Sequence, residues 1–332
     1  MSAAADFEVA PLRAPFPYFG GKRRIATRVW EALGDVRHYV EPFCGSAAVL
    51  LARPHKPSTE TVNDADGMVC NFWRAVKAAP AEVAHYADWP VNELDLRARH
   101  TRLRELRTGL TARLEADPEF FDAKVAGWWV WGACAAIGDA WHQTTTQRPA
   151  ASIGSDGRGV HALTLSATRR CDGAALIEDG AGFASVSAWL DALAARLRDV
   201  RVTCGNWTKV LGDAALIASA HSAHHRVGVY FDPPYSEGNQ QYAAGGTGTS
   251  LSADVSAWCV EHDSDERLRI VLSGYDGEHN ALEARGWSVV AWKTKGGYAA
   301  RGGNNKNQKR ERLWLSPHCL RADHGPLFGG AL

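Results

Sequence analysis

Short apolar runs rich in β-branched and aromatic residues recur toward both ends of the chain, separated by stretches with apolar positions at helical spacing. Seven of these runs read as strands, at 38–43, 60–64, 200–204, 227–232, 269–273, 287–292 and 311–316. Helical spacing puts Ile25, Val29, Ala32 and Leu33 on one face of a first helix. It does the same for Val186, Trp189, Leu190, Leu193 and Leu197 in a later one, and a further helix is expected over 252–262. Strands alternating with helices predict an α/β fold with a mostly parallel sheet.

Between about residues 80 and 198 the alternation stops. Leu96 to Leu114 reads as a helix with Leu103, Leu106 and Leu110 as its buried stripe and with Arg97, Arg99, Arg102, Arg104, Arg107 and Arg113 along it. That basic set is either a solvated face or a phosphate contact. Val125 to Ile137 is apolar all round and predicts a buried helix whose tryptophans belong to the core. His142 to His161 is polar and glycine-rich, and a loop of that length inside a compact domain is usually functional or disordered. The expected organisation is a loose leader over 1–14, a catalytic unit formed by 15–79 and 199–320, an inserted region over 80–198, and a tail over 321–332.

Composition narrows the picture without deciding it. Hydrophobic residues at 45% and charged residues at 22% describe an ordinary globular protein. The formal charge of zero provides no global attraction to a polyanion, so nucleic acid would have to be held by local patches. One such patch is the glycine- and asparagine-rich stretch 293–310, which carries Lys306, Lys309 and Arg310. Seven cysteines without paired spacing read as reduced thiols of a cytosolic protein, and no Cys/His cluster suggests a metal. The first residues lack the regions of a signal peptide, and the uncharged run from Val125 to Gly138 is too short to span a bilayer.

Four stretches carry candidate chemistry. In Val227-Gly-Val-Tyr-Phe-Asp-Pro-Pro-Tyr235 a buried strand runs into Asp232, and the two prolines end it because they cannot donate to a ladder. A carboxylate and the Pro233 carbonyl at such an edge can accept both hydrogens of an exocyclic amine, while Tyr235 can stack on the ring that carries it. Pro15 to Lys22 places paired glycines before a helix, with Tyr18 able to cover a ring and Lys22 able to pair with a carboxylate or phosphate. Glu41-Pro-Phe-Cys-Gly45 is a strand-to-helix turn with one glycine. Asn63-Asp64 ends the next strand, where an acid suits ribose hydroxyls or, alternatively, a helix cap near Gly67.

In that order these motifs resemble the Dam-like, alpha-group N6-adenine DNA methyltransferases, over most of residues 15–320. The resemblance implies a Rossmann-like class I methyltransferase fold with a seven-stranded, mostly parallel sheet and a largely helical target-recognition insertion. It implies S-adenosyl-L-methionine as cofactor, held by Tyr18, Lys22, Glu41, Gly45, Asp64, Asn206 and Asp232, and a flipped adenine held by Asp232, Pro233 and Tyr235. Duplex DNA is the implied partner, with a cognate restriction enzyme a further candidate. Arg148, Arg158 and His161 are the expected base readers, and Lys306, Lys309 and Arg310 the expected phosphate contacts. The sequence departs from the family at Ser46-Ala47, where further glycines are usual. Methylation of cytosine N4, RNA or a glutamine side chain stays open, as does a catalytically silent DNA-binding protein.

Overall fold

The computed structural model describes residues 12–16, 18, 22–137, 141, 150–151, 185–212, 216, 225–235, 248–292 and 310–320. The seven expected strands all form and lie in one sheet. In chain order they are β1 (His38–Glu41), β2 (Thr59–Asp64), β5 (Val200–Cys204), β6 (Val227–Phe231), β7 (Leu268–Tyr275), β8 (Ser288–Ala291) and β9 (Glu311–Leu315). A separate two-residue ribbon pairs β3 (Ala136–Ile137) with β4 (Ala150–Ala151).

The sheet order is β5-β2-β1-β6-β7-β9-β8, with β5, β2, β1, β6 and β7 mutually parallel. Only β9 runs against its neighbours, pairing antiparallel with both β7 and β8. The chain winds outward from β1 through β2 to β5, then returns to the centre at β6 and winds the other way. That reversal leaves a crevice outside the carboxyl ends of β1 and β6, the place where open α/β sheets bind ligands. This is the Rossmann-like methyltransferase architecture that the motifs imply.

Helices cover both faces. Helix α1 (Arg23–Leu33) buries Ile25, Ala26, Val29, Trp30, Ala32 and Leu33, a wider stripe than the four expected. The Trp30 indole donates to the Val49 carbonyl at 2.7 Å, tying α1 to α2 (Ala48–Leu51). Helix α3 (Gly67–Ala78) follows β2, and α4 (Pro80–Ala87), α5 (Glu93–Ala116) and α6 (Ala123–Ala135) begin the expected insertion. Helix α7 (Val186–Leu197) leads into β5, buried along Trp189, Leu190, Leu193 and Leu197. On the opposite face, α8 (Gly248–His262) packs Val255 and Cys259 against Val229, Phe231, Ile270 and Leu272, and the short α9 (Asn280–Glu283) follows β7.

The inserted helices share one core with the sheet. Phe16 packs against Phe72 and Trp73 of α3 and Trp129 of α6. Asn71 and the backbone of Asp122 exchange two hydrogen bonds, at 2.8 and 2.9 Å, which fixes where α6 starts. Gly127 lets α6 meet α4 closely, since a Cβ there would stand 2.7 Å from the Val83 carbonyl oxygen. The basic helix α5 turns its arginines mostly to partners within the chain. Arg97 pairs with Glu93, Arg102 with Glu105 and Arg107 with Asp66, while Arg113 lies over Phe120. Arg99 is buried against Trp131, its guanidinium 4.2 Å from the ring centre. Among the described residues no helix is long and apolar enough to cross a membrane, no group of His, Cys, Asp and Glu is placed to hold a metal, and the cysteines are free and buried.

Candidate active site

Along β1, β6 and β7 alternate side chains face α8 or α1, and the α1 face is where the polar groups gather. Val227, Val229 and Phe231 join the core under α8, which turns Tyr230 and Asp232 toward α1. The same parity turns Tyr39 and Glu41 of β1, and Ser273 and Tyr275 of β7, to that face. Antiparallel β9 begins at the carboxyl edge, where Glu311 stands opposite Tyr275. Lys22 arrives at the head of α1, its carbonyl accepting from Ile25 and Ala26 at 3.0 and 2.9 Å.

Asp232 is the centre of this cluster. Its Oδ1 accepts from Lys22 Nζ at 2.8 Å and from the Tyr235 hydroxyl at 3.3 Å. Burial raises the Asp232 carboxyl above its ordinary range, and the Lys22 ammonium opposes that rise. Lys22 itself is only 6% exposed and lies 5.0 Å from the centre of the Tyr235 ring and 5.9 Å from that of Trp292. The Tyr235 hydroxyl also stands within donating distance of Glu311 Oε2, at 3.0 Å, and its ring meets Tyr275 edge to face at 4.6 Å. Arg310 lies over Tyr275 at 5.2 Å, so this one expected DNA contact among the described residues stands at the rim of the cluster.

Glu41 is 2% exposed, with Oε2 accepting from the Tyr39 hydroxyl at 3.0 Å and the Leu50 amide at 3.3 Å. Burial pushes its carboxyl up to about 8, and the two donors only partly offset this. In the folded protein Glu41 keeps its proton up to about pH 8, whereas in the unfolded chain it releases it near 4.5. The native state therefore binds the extra proton between those values, and the contribution of Glu41 to stability is present below pH 4.5 and declines as pH rises toward 8. Glu41→Gln should flatten this window and raise stability at pH 8 by at least about 1 kcal/mol. Urea unfolding at pH 5 and pH 8 measures it, and equal differences between variant and wild type at both would refute it.

A second cluster forms around Gly45. Its amide donates to Asp64 Oδ2 at 2.9 Å and its carbonyl accepts from the Trp73 indole at 2.9 Å. With φ of +44°, and with a Cβ placed 2.5 Å from the Tyr18 ring, the position demands glycine. Ala47, where the family usually has glycine, nevertheless adopts φ of +52°, the one left-handed non-glycine among the described residues. That conformation ends the turn, and α2 starts at the next residue, Ala48.

Asp64 takes a backbone donor on each oxygen, Gly45 on one and Asp66 on the other, both at 2.9 Å. A carboxylate has about four acceptor sites, so capacity is left for hydroxyl donors. Burial raises its carboxyl to about 6. The alternative of a helix cap at Asp64 is corrected: Asp66 caps α3 through the Met68 amide at 2.9 Å. Asn63 ties together the turns after β1 and β5, donating to the Pro42 and Gly205 carbonyls at 3.1 and 3.0 Å. Asn206, expected at the cofactor, accepts from the Thr208 amide and hydroxyl, both at 2.9 Å, and so caps the turn after β5.

The fold thus brings Lys22, Asp232 and Tyr235 into direct contact and gathers Tyr18, Gly45 and Asp64 into one turn. Glu311, Tyr275 and Trp292 are site residues that sequence reasoning missed. The available signal was the acid heading an apolar strand at Glu311, but its meaning depends on β9 running antiparallel. Arg148, Arg158, His161, Lys306 and Lys309 lie outside the described residues, as do Phe19, Gly20 and Gly21.

No curated protein matches the chain. The segment from Tyr18 to Gly109 carries three of the four motifs and all of α1, β1 and β2. It matches the family model of the D12 class N6 adenine-specific DNA methyltransferases, and on that stretch the chain is similar to the Dam-like family.

Proposed function

We propose that the protein is an S-adenosyl-L-methionine-dependent methyltransferase acting on N6 of an adenine flipped out of double-stranded DNA. The observation that carries this reading is Asp232, held by Lys22 and Tyr235 at the sheet's reversal point, directly before Pro233-Pro234. An adenine N6 lone pair is delocalised into its ring. By accepting the two N–H hydrogens, the Asp232 carboxylate and the Pro233 carbonyl favour a more pyramidal nitrogen and aim its lone pair. When bound, S-adenosylmethionine supplies an electrophilic sulfonium methyl. Positioning and electrostatics then carry the rate, and the target must leave the stack because its amine is out of reach in a duplex.

The residues fit such a cofactor. Asp64 and Asp232 place carboxylates along the carboxyl edge, which suits a ligand bearing both sulfonium and ammonium charge. The spare acceptors of Asp64 suit ribose hydroxyls, and Tyr18 stands over the same turn. We assign 15–79 and 199–320 to the catalytic unit and 80–198 to target recognition, with base reading by Arg148, Arg158 and His161. Backbone contact falls to Lys306, Lys309 and Arg310, and the place of Arg310 beside Tyr275 suits a phosphate next to the flipped base.

Methyl-labelled S-adenosylmethionine offered with duplex DNA, RNA and protein should deliver label to the DNA. Label in RNA or protein alone would turn the reading to another amino-methyltransferase, and no transfer to the silent alternative. Tyr235→Ala should weaken capture of the flipped base by about 1–3 kcal/mol of lost stacking while cofactor affinity holds. Binding to duplexes with a mismatched, loosely paired target adenine checks this, and unchanged affinity would remove Tyr235 from the base site.

A further inference from the structure

Glu311 is 6% exposed and has no part in the reaction as proposed. Its Oε2 lies 3.0 Å from the Tyr235 hydroxyl, which also stands 3.3 Å from Oδ1 of Asp232. A phenol has a single proton to donate, so the two carboxylates compete for it. Asp232 Oδ1 is already served by Lys22 at 2.8 Å, whereas Glu311 makes no ion pair among the described residues and has the shorter contact to the phenol. We propose that Glu311 is a positioning residue for methyl transfer, drawing the Tyr235 proton to itself and so leaving Asp232 open to the hydrogens of the target amine.

The inference rests on the function proposed above. Burial raises the Glu311 carboxyl above its ordinary range, the Lys22 ammonium opposes that rise, and Asp232 and Glu278 add to it. With a weaker acceptor at position 311, the phenol turns to Asp232 and adds a second donor beside Lys22 on Oδ1, which draws charge from the carboxylate and weakens it as an acceptor for the amine. The hydroxyl then acts as an inhibitor built into the site. This yields a signature that plain loss of packing does not: removing the hydroxyl should relieve the defect.

Single-turnover methylation of duplex DNA by Glu311→Gln, alone and combined with Tyr235→Phe, tests this. Glutamine keeps the volume but is a neutral and weaker acceptor, so the rate should fall roughly 10- to 100-fold. Affinity for S-adenosylmethionine, taken by calorimetry, should stay within about threefold. The added Tyr235→Phe should recover most of the lost rate, a non-additive coupling expected only of groups that share a proton. Glu311→Asp, whose shorter side chain withdraws the acceptor, provides a second background for the same rescue if the glutamine variant does not fold. A full rate in the single variants, or no recovery in the doubles, overturns the inference while the proposed function stands. A wild-type protein that methylates no DNA overturns both.

Discussion

Replacing Asp232 by alanine should lower single-turnover methyl transfer to duplex DNA by about 10²–10³-fold, the usual cost of losing one preorganised electrostatic contact. The strand and the Pro233-Pro234 turn do not depend on the carboxylate, so the site's backbone should persist. The change has a second consequence. Lys22 is buried and loses the partner 2.8 Å away, so the variant should also be less stable, although Glu311 feels the same ammonium and takes up part of its charge. Asp232→Ala combined with Lys22→Met should regain stability but not rate. Calorimetry should find cofactor binding reduced far less than turnover. Near-normal turnover in Asp232→Ala would place the chemistry elsewhere.

The largest expected effect on stability lies away from the site. Glu60, 2% exposed at the start of β2, accepts from Arg53 at 3.2 Å and from both terminal nitrogens of Arg196 at 2.6 and 2.8 Å. Arg53 follows α2 and Arg196 belongs to the last turn of α7, so one carboxylate joins the helix after β1 to the helix before β5. Glu60→Ala leaves the buried Arg196 guanidinium without its carboxylate, and Arg53 with only the exposed Asp35 at 3.8 Å, and should cost about 3–5 kcal/mol. The urea midpoint should fall with little change in slope. Arg97→Ala, which removes an exposed pair with Glu93, should stay within about 0.5 kcal/mol. Similar losses in the two variants would mean that the Glu60 network is not holding α7 to the sheet.

Much of this molecule could be read in advance because its sheet is built from apolar runs that end in chemistry. Each of the seven runs became a strand, and Asp232 and Asp64 fall at carboxyl ends because a parallel strand announces its own edge. What could not be read depends on neighbours distant in sequence. Glu311 opens a strand, and only the antiparallel pairing of β9 with β7 carries it to the same edge. Trp292 reaches Lys22 because β8 runs parallel to β7 beyond that antiparallel strand. The arginines of α5 looked available for phosphate, but acids and aromatic rings on α3, α5 and α6 engage most of them. Whether Asp64 or Asp66 caps α3 is decided by two residues of register, which spacing alone does not resolve.

The central claim is that this site methylates adenine at N6. Duplex DNA lacking modified bases, incubated with the protein and trideuteromethyl S-adenosylmethionine and then digested to nucleosides, tests it by mass analysis. The account predicts trideuterated N6-methyldeoxyadenosine, absent when Asp232→Ala replaces the wild type. Label found only as N4-methyldeoxycytidine, or no labelled nucleoside at all, would contradict it.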